Sequence, residues 1–328
     1  MRTRLLLAST LTLLAAPLAA QQAVDARLPP YTKTSGVTGA IKSVGSDTMN
    51  NLMTLWTEGF RAHYPNVQIA VEGKGSATAP PALIAGTASF GPMSRAMKDK
   101  EIDDFEKAFG YKPTVVRTGI DMLAVYVHRD NPIAQKGLTL QQVDAIFSKT
   151  RKGGFEHELR NWGDVGLTGE WADKPISLYG RNSASGTYGF FKEHALFKGD
   201  FKDSVKEQAG SSAVVQAVAT DKFAVGYSGI GYKTADVVAV PLADEEGGAF
   251  HPAAEAALDD YPLTRFLYVY LNYKPGTAID PLRGEFLKFV FSADGQRVVI
   301  TDGYLPVSAE IARSELAQVG IAIELKTP

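Results

Sequence analysis

Apolar residues in this chain switch repeatedly between strand-like and helix-like spacing, and each switch marks an element. Ala40–Val44 reads as a short strand. Thr48 to Tyr64 places Leu52, Leu55, Trp56 and Phe60 at helical spacing, with Pro65 just past the end. Val67, Ile69 and Val71 alternate as on one face of a strand. A short helix follows through Pro80 to Ile84; its prolines are tolerable only in the first turn, where a missing N–H breaks no intrahelical bond. Ala88–Phe90 predicts a further strand. The order strand–helix–strand–helix–strand predicts an α/β domain with a largely parallel sheet, and such sheets bind ligands beyond the carboxyl ends of their strands. The loops Gly45–Thr48, Gly73–Thr78 and Gly91–Arg95 lie at such ends.

A second α/β unit follows. Thr139 begins a helix, with Gln142 at the capping-box position and Val143, Ile146 and Phe147 on the buried face. Ile176–Tyr179 predicts a strand and Tyr188 to His194 a helix. Ser212 is expected to cap an Ala/Val helix running to Thr220, ahead of a strand at Ala224–Tyr227. Pro281–Phe291 and Asp294–Ile300 are the last clear helices. Two continuous apolar runs, Met122–Val127 and Phe266–Leu271, read as crossovers between two lobes. Residues 37–122 plus 272–328 then form lobe I, and 123–271 form lobe II. Two crossing strands make a natural hinge.

The 328 residues suffice for two such units, and 45% hydrophobic with 21% charged residues is a globular composition. A net charge of −2, with no basic run, gives no footprint for nucleic acid. The first residues change the picture more. Arg2 and Arg4, the apolar stretch Leu5 to Ala16 and the small residues ending at Ala20 have the form of a secretory signal peptide, residues 1–20. With no cysteine in the chain there is no disulfide, thiolate metal site or lipid-modified cysteine. An exported chain without a lipid anchor is expected in a periplasm.

The segment Arg181-Asn-Ser-Ala-Ser-Gly-Thr187 carries the most chemistry. It lies between a strand and a helix, so it sets a permanent cation, hydroxyls and unbonded helix-start N–H groups side by side. That collection favours an oxyanion. Gly186 removes the side chain that would hold a ligand off the backbone. Arg181 offers a planar fork of donors. Taken alone, Ser185–Thr187 is an ordinary cap or turn, and Ser46 and Thr48 could equally cap the Thr48–Tyr64 helix. The histidines, at 63, 128, 157, 194 and 251, show no metal-ligand spacing. Gly226–Gly231 has the wrong order for a dinucleotide loop, and no Walker or nucleophile-elbow motif occurs. No metal or cofactor is expected.

Arg181, Ser185, Gly186 and Thr187 match the Arg-x-x-x-Ser-Gly-Thr element of the PstS family, which the mature chain resembles from about Gly39 to its end. Ser43–Thr48, Glu72–Ser76 and Phe90–Arg95 resemble that family's three upstream anion loops, and Ala224–Tyr227 a second-lobe strand. The resemblance implies a two-lobed α/β periplasmic binding protein of the Venus-flytrap kind, type II-like, with two hinge crossovers. It implies capture of inorganic phosphate by lobe closure and delivery, as a monomer, to the permease subunits of an ABC importer. Implied phosphate-binding residues are Arg181, Ser185, Gly186, Thr187, Ser46, Asp47, Thr48, Ser76 and Ser94, with Arg95 and Asp121 as further candidates. Where many members carry an aspartate in the third loop that accepts the ligand's proton, this chain has Ser94. Where many pair the arginine with an acid two residues on, it has Ser183. Asp47 and Asp121 are the candidates for the missing acceptor. Competing readings are a receptor for sulfate, molybdate or tungstate, an exported phosphatase or hydrolase using Ser185, and an adhesive protein on the same fold.

Overall fold

The computed structural model describes residues 23–327, and its axis is a single strand, Thr114–His128. Only the Met122–Val127 part of that strand is legible as a continuous apolar run. From Thr114 to Met122 it pairs antiparallel with Thr264–Leu271; from Leu123 to Val127 it pairs antiparallel with Ala224–Gly229. Val237–Ala239 joins its far end. Outward from these, Gly91–Met93 lies antiparallel to Thr264–Leu271, while Ser177–Arg181 lies parallel to both Ala224–Gly229 and Lys206–Gln208. A separate parallel pair, Ala40–Gly45 with Gln68–Gly73, is bridged in parallel to Phe90 through Ser43. The expected parallel pairing therefore holds where a helix connects the strands. The two central strands are antiparallel because they carry the chain across the molecule in opposite directions.

Hydrophobic burial divides along that axis. One core gathers Leu52, Trp56 and Phe60 of the Asn50–His63 helix with Phe286 and Phe289 of the Pro281–Val290 helix and Val116 of the long strand. The other gathers Leu123, Val125 and Val127 with Phe147, Trp162, Phe191 and Tyr227. The return strand Thr264–Leu271 is shared by the two cores: Phe266 packs against the second, and Leu267, Val269 and Leu271 lie in the first.

Local signals fare unevenly. Thr139 and Gln142 form the reciprocal capping box. Pro80 and Pro81 sit at the start of the Ala79–Ile84 helix, where proline is tolerated. Ser212 is not a cap: the helix Ser211–Thr220 starts one residue earlier, with Gly210 at the cap position. Two helices, Asp99–Phe109 and Ala309–Gln318, lie outside the elements read from the sequence. The first does carry a helical period, Ile102, Phe105 and Phe109, but among mostly charged neighbours and with only Phe105 fully buried; the second buries Ala309, Ala312, Glu315 and Leu316, of which one is a large apolar residue. The signal-peptide segment lies outside the described residues. Among those described, no helix is long and apolar enough to cross a membrane.

Candidate anion-binding site

Three loops of the first half converge at strand ends. Ser46 follows Ala40–Gly45, and its N–H donates to the Pro92 carbonyl (2.8 Å), tying the first loop to the third. Ser76 opens a short 3-10 turn behind Gly75, which adopts φ 110°, a conformation that favours glycine. Ser76 Oγ accepts from the Ser94 N–H (3.0 Å) and lies 3.4 Å from Ser94 Oγ; Ser46 Oγ donates to Ser94 Oγ (3.1 Å). All three hydroxyls are buried.

The helix Gly186–His194 meets this cluster end-on. Ser185 is its N-cap: Oγ accepts from the N–H groups of Thr187 (3.1 Å) and Tyr188 (3.4 Å). A Cβ at Gly186 would lie 2.2 Å from Ser76 Oγ and 2.6 Å from Ser94 Oγ, so the helix start touches the serine cluster with nothing to spare. Alongside, Thr187 Oγ1 and Thr48 Oγ1 are 2.7 Å apart. The turn before Asn50 has no side-chain cap, so the buried Thr48 hydroxyl points across the molecule and does not cap its own helix. A backbone bond from Ala77 N–H to the Ala184 carbonyl (3.1 Å) joins the same two faces.

Arg181 ends its strand almost fully buried. Nη1 donates to Ser211 Oγ (2.6 Å) and Nη2 to the Ala209 carbonyl (3.3 Å), with Asp47 Oδ2 3.0 Å from Nη2. Nε is buried and meets no acceptor among the described residues. Burial lowers this guanidinium's affinity for its proton, and Asp47 opposes that. Asp47 Oδ2 also accepts from the Ser211 N–H (2.8 Å). Asp47 therefore pairs with the arginine, the role left open by Ser183. The Tyr232 hydroxyl, kept protonated by burial, donates to the carbonyls of Asp47 (3.0 Å) and Thr48 (3.2 Å) and fixes the first loop from the other half.

Ser46, Asp47, Thr48, Ser76, Ser94, Arg181, Ser185, Gly186 and Thr187 are thus brought into one neighbourhood. Two candidates are not free to join. Arg95 turns away to Glu101, with both bonds 2.7 Å. Asp121 is buried, and its Oδ2 accepts from Arg265 (2.6 and 2.9 Å) and its Oδ1 from the Ile230 N–H (2.9 Å), which commits Oδ2 to the arginine and holds Oδ1 against the Gly229–Ile230 turn. Residue-by-residue reading misses Arg265, Ser211 and Tyr232. Arg265 has one available signal, a permanent charge inside an otherwise apolar strand. Ser211 and Tyr232 have none, since their roles depend on which loops meet them.

A model of the PBP superfamily domain matches residues 30–294. The phosphate-binding protein PstS of Pseudomonas aeruginosa is 55% identical over 96% of this chain and 98% of its own length. The chain belongs to the PstS family of phosphate-binding proteins. That is a family of solute-binding proteins and not of enzymes. The Staphylococcus aureus PstS is 28% identical over 86% of this chain and 83% of its own. Among solved structures, a phosphate-bound substrate-binding protein from Clostridium perfringens superposes with a TM-score of 0.68 at 24% identity, over 82% of this chain and 100% of that one. An ABC-type phosphate transport receptor from Vibrio cholerae gives 0.60 at 21% identity, over 83% and 100%. At those identities they bear on the fold, the two-lobed α/β architecture of periplasmic binding proteins.

Proposed function

We propose that this PstS-family chain captures inorganic phosphate between its two halves and delivers it to the permease of an ABC importer. The observation that carries this is the meeting of buried hydroxyls from four remote segments, Ser46, Ser76, Ser94 and Thr187, at the start of a helix and next to a buried arginine with an unused donor. A tetrahedral oxyanion loses its water shell in a closed cleft, and only converging donors replace it. Helix-start N–H groups and hydroxyls supply them without adding net charge.

The two cores, joined by antiparallel crossing strands, act as lobes hinged between them. The contacts Thr48–Thr187, Asp47–Arg181 and Ala77–Ala184 belong to the closed form. The signal-like N-terminus and the likeness to PstS proteins support a periplasmic location, and the receptor acts as a monomer that presents both lobes to the permease.

Calorimetry of the ligand-stripped protein against phosphate, arsenate, sulfate and molybdate tests the ligand. Phosphate and arsenate should bind and compete. Absence of heat with phosphate, or tighter binding of sulfate or molybdate, would overturn the assignment.

A further inference from the structure

Arg265 stands where three parts of the molecule meet. Its role rests on the phosphate-binding reading, although that reading does not by itself require it. It lies in the return strand, in register with Asp121 of the long strand. Its Nε and Nη2 both donate to Asp121 Oδ2 (2.9 and 2.6 Å). Nη1 donates to the Ser94 carbonyl (2.8 Å), and Nη2 also donates to Thr187 Oγ1 (2.9 Å). The guanidinium carbon lies 5.2 Å from the centre of the Phe190 ring, which fixes its plane. One side chain thus holds the third loop of one lobe and the helix start of the other while anchored to a crossing strand.

We propose that Arg265 is a positioning residue of the anion site, acting on the ligand through the Thr187 hydroxyl. A hydroxyl has one proton and two lone pairs. Arg265 fills one lone pair of Thr187 Oγ1, and the 2.7 Å contact with Thr48 Oγ1 allows either hydroxyl to donate. With Thr187 as the donor the order is Arg265 to Thr187 to Thr48, which leaves the Thr48 proton for the guest. Donors arranged in series polarise one another, so the oxyanion senses a second guanidinium that it never touches. Asp121 neutralises that guanidinium and holds it in register. Its carboxylate is therefore a support for the site and not an acceptor for the ligand's proton.

The test is a double-mutant cycle read by phosphate calorimetry. Arg265→Lys keeps a cation beside Asp121 but cannot reach Thr187 and the Ser94 carbonyl together. In the otherwise unaltered protein it should weaken phosphate binding about tenfold, the scale of one charge-assisted hydrogen bond, with a small change in Tm. In a Thr187→Val background, which lacks the hydroxyl, the same change should cost less than about twofold. In a Thr187→Ser background, which restores it, the tenfold loss should return. A purely structural role would give the same loss in all three backgrounds, and that result would overturn the proposal. If the unaltered protein bound no phosphate, the failure would lie with the ligand assignment, whereas a normal titration with an uncoupled cycle would refute Arg265 alone.

Discussion

Arg181 and Arg265 are both buried and both paired with an aspartate, yet their donors are committed differently. Arg181 stands at the end of a strand, and its partner Asp47 comes from a remote loop and stays 24% exposed. Its Nε is left without an acceptor. Arg265 stands within a strand, and its partner Asp121 faces it in sheet register with no exposure at all. One pair joins the lobes and keeps a donor in reserve; the other is internal to the crossing strands and holds what surrounds it. In the proposed roles, an unpaired donor, rather than charge as such, is what separates the binding arginine from the supporting one, because a charge already satisfied gains little from a guest.

The sharpest way to break the comparison is to remove each cation. Arg265→Met leaves Asp121 buried without a counter-ion, and breaking a buried pair in this way should cost about 3–5 kcal/mol of stability, seen as a lower midpoint in urea unfolding. Arg181→Ala leaves Asp47 able to rehydrate, so its effect on that midpoint should be much smaller. Phosphate affinity should instead fall at least about tenfold, the loss of a charged contact. Equal loss of stability in the two variants, or unchanged affinity in Arg181→Ala, would erase the distinction.

The same contrast explains how far the sequence could be read. Arg181 announces itself, because glycine, serine and threonine follow it between a strand and a helix, and that local composition has few other uses. Ser46, Ser76 and Ser94 are legible for the same reason, each sitting in a glycine-containing loop after a strand. Arg265 sits among Leu, Phe, Tyr and Val, and nothing local says which loops the strand will pass beneath. Its partner Asp121 is 144 positions away along the chain. Register between crossing strands decides the pairing, and register is a tertiary property. Arg95 misleads in the opposite sense, since its place beside Ser94 suggests the site while the Asp99–Phe109 helix supplies Glu101 to take it away. The parallel units are readable from alternation. The full length of the central strand is not, because its first residues alternate buried and half-buried positions and include Arg117 and Thr118, and only its second half is a continuous buried apolar run.

Gly186 tests whether the Arg181 side of the comparison depends on close approach. A methyl there would meet the Ser76 and Ser94 hydroxyl oxygens far inside van der Waals contact. Overpacking of this kind costs about 1–3 kcal/mol, so Gly186→Ala should weaken phosphate binding roughly tenfold to a hundredfold. Stability of the unliganded protein should change little if the cleft opens when empty. Small-angle scattering with and without phosphate supplies the check: the unaltered protein should contract on binding, and the variant should contract less. Identical curves for the unaltered protein would argue against hinged closure.

A third acid extends the comparison to a carboxylate with no arginine. Asp302 packs where its loop meets Gly231; Oδ1 accepts from Asn51 Nδ2, and Oδ2 is buried without a partner among the described residues. Burial, helped by the nearby Asp121 charge and opposed by Asn51, raises its pKa to about 6 from the ordinary 3.8. The folded protein therefore keeps a proton between pH about 4 and 6 that the unfolded chain has released. This carboxyl's contribution to stability falls as pH rises through that window and is constant above it. Asp302→Asn removes the ionisation while keeping the acceptor for Asn51. Its Tm advantage over the unaltered protein should be larger at pH about 7.5 than at pH about 4.5, by a few degrees at most. An equal difference at both pH values would show that Asp302, though unpaired, ionises as freely in the folded protein as in the unfolded chain, and that burial without a cation is not what distinguishes it from Asp47 and Asp121.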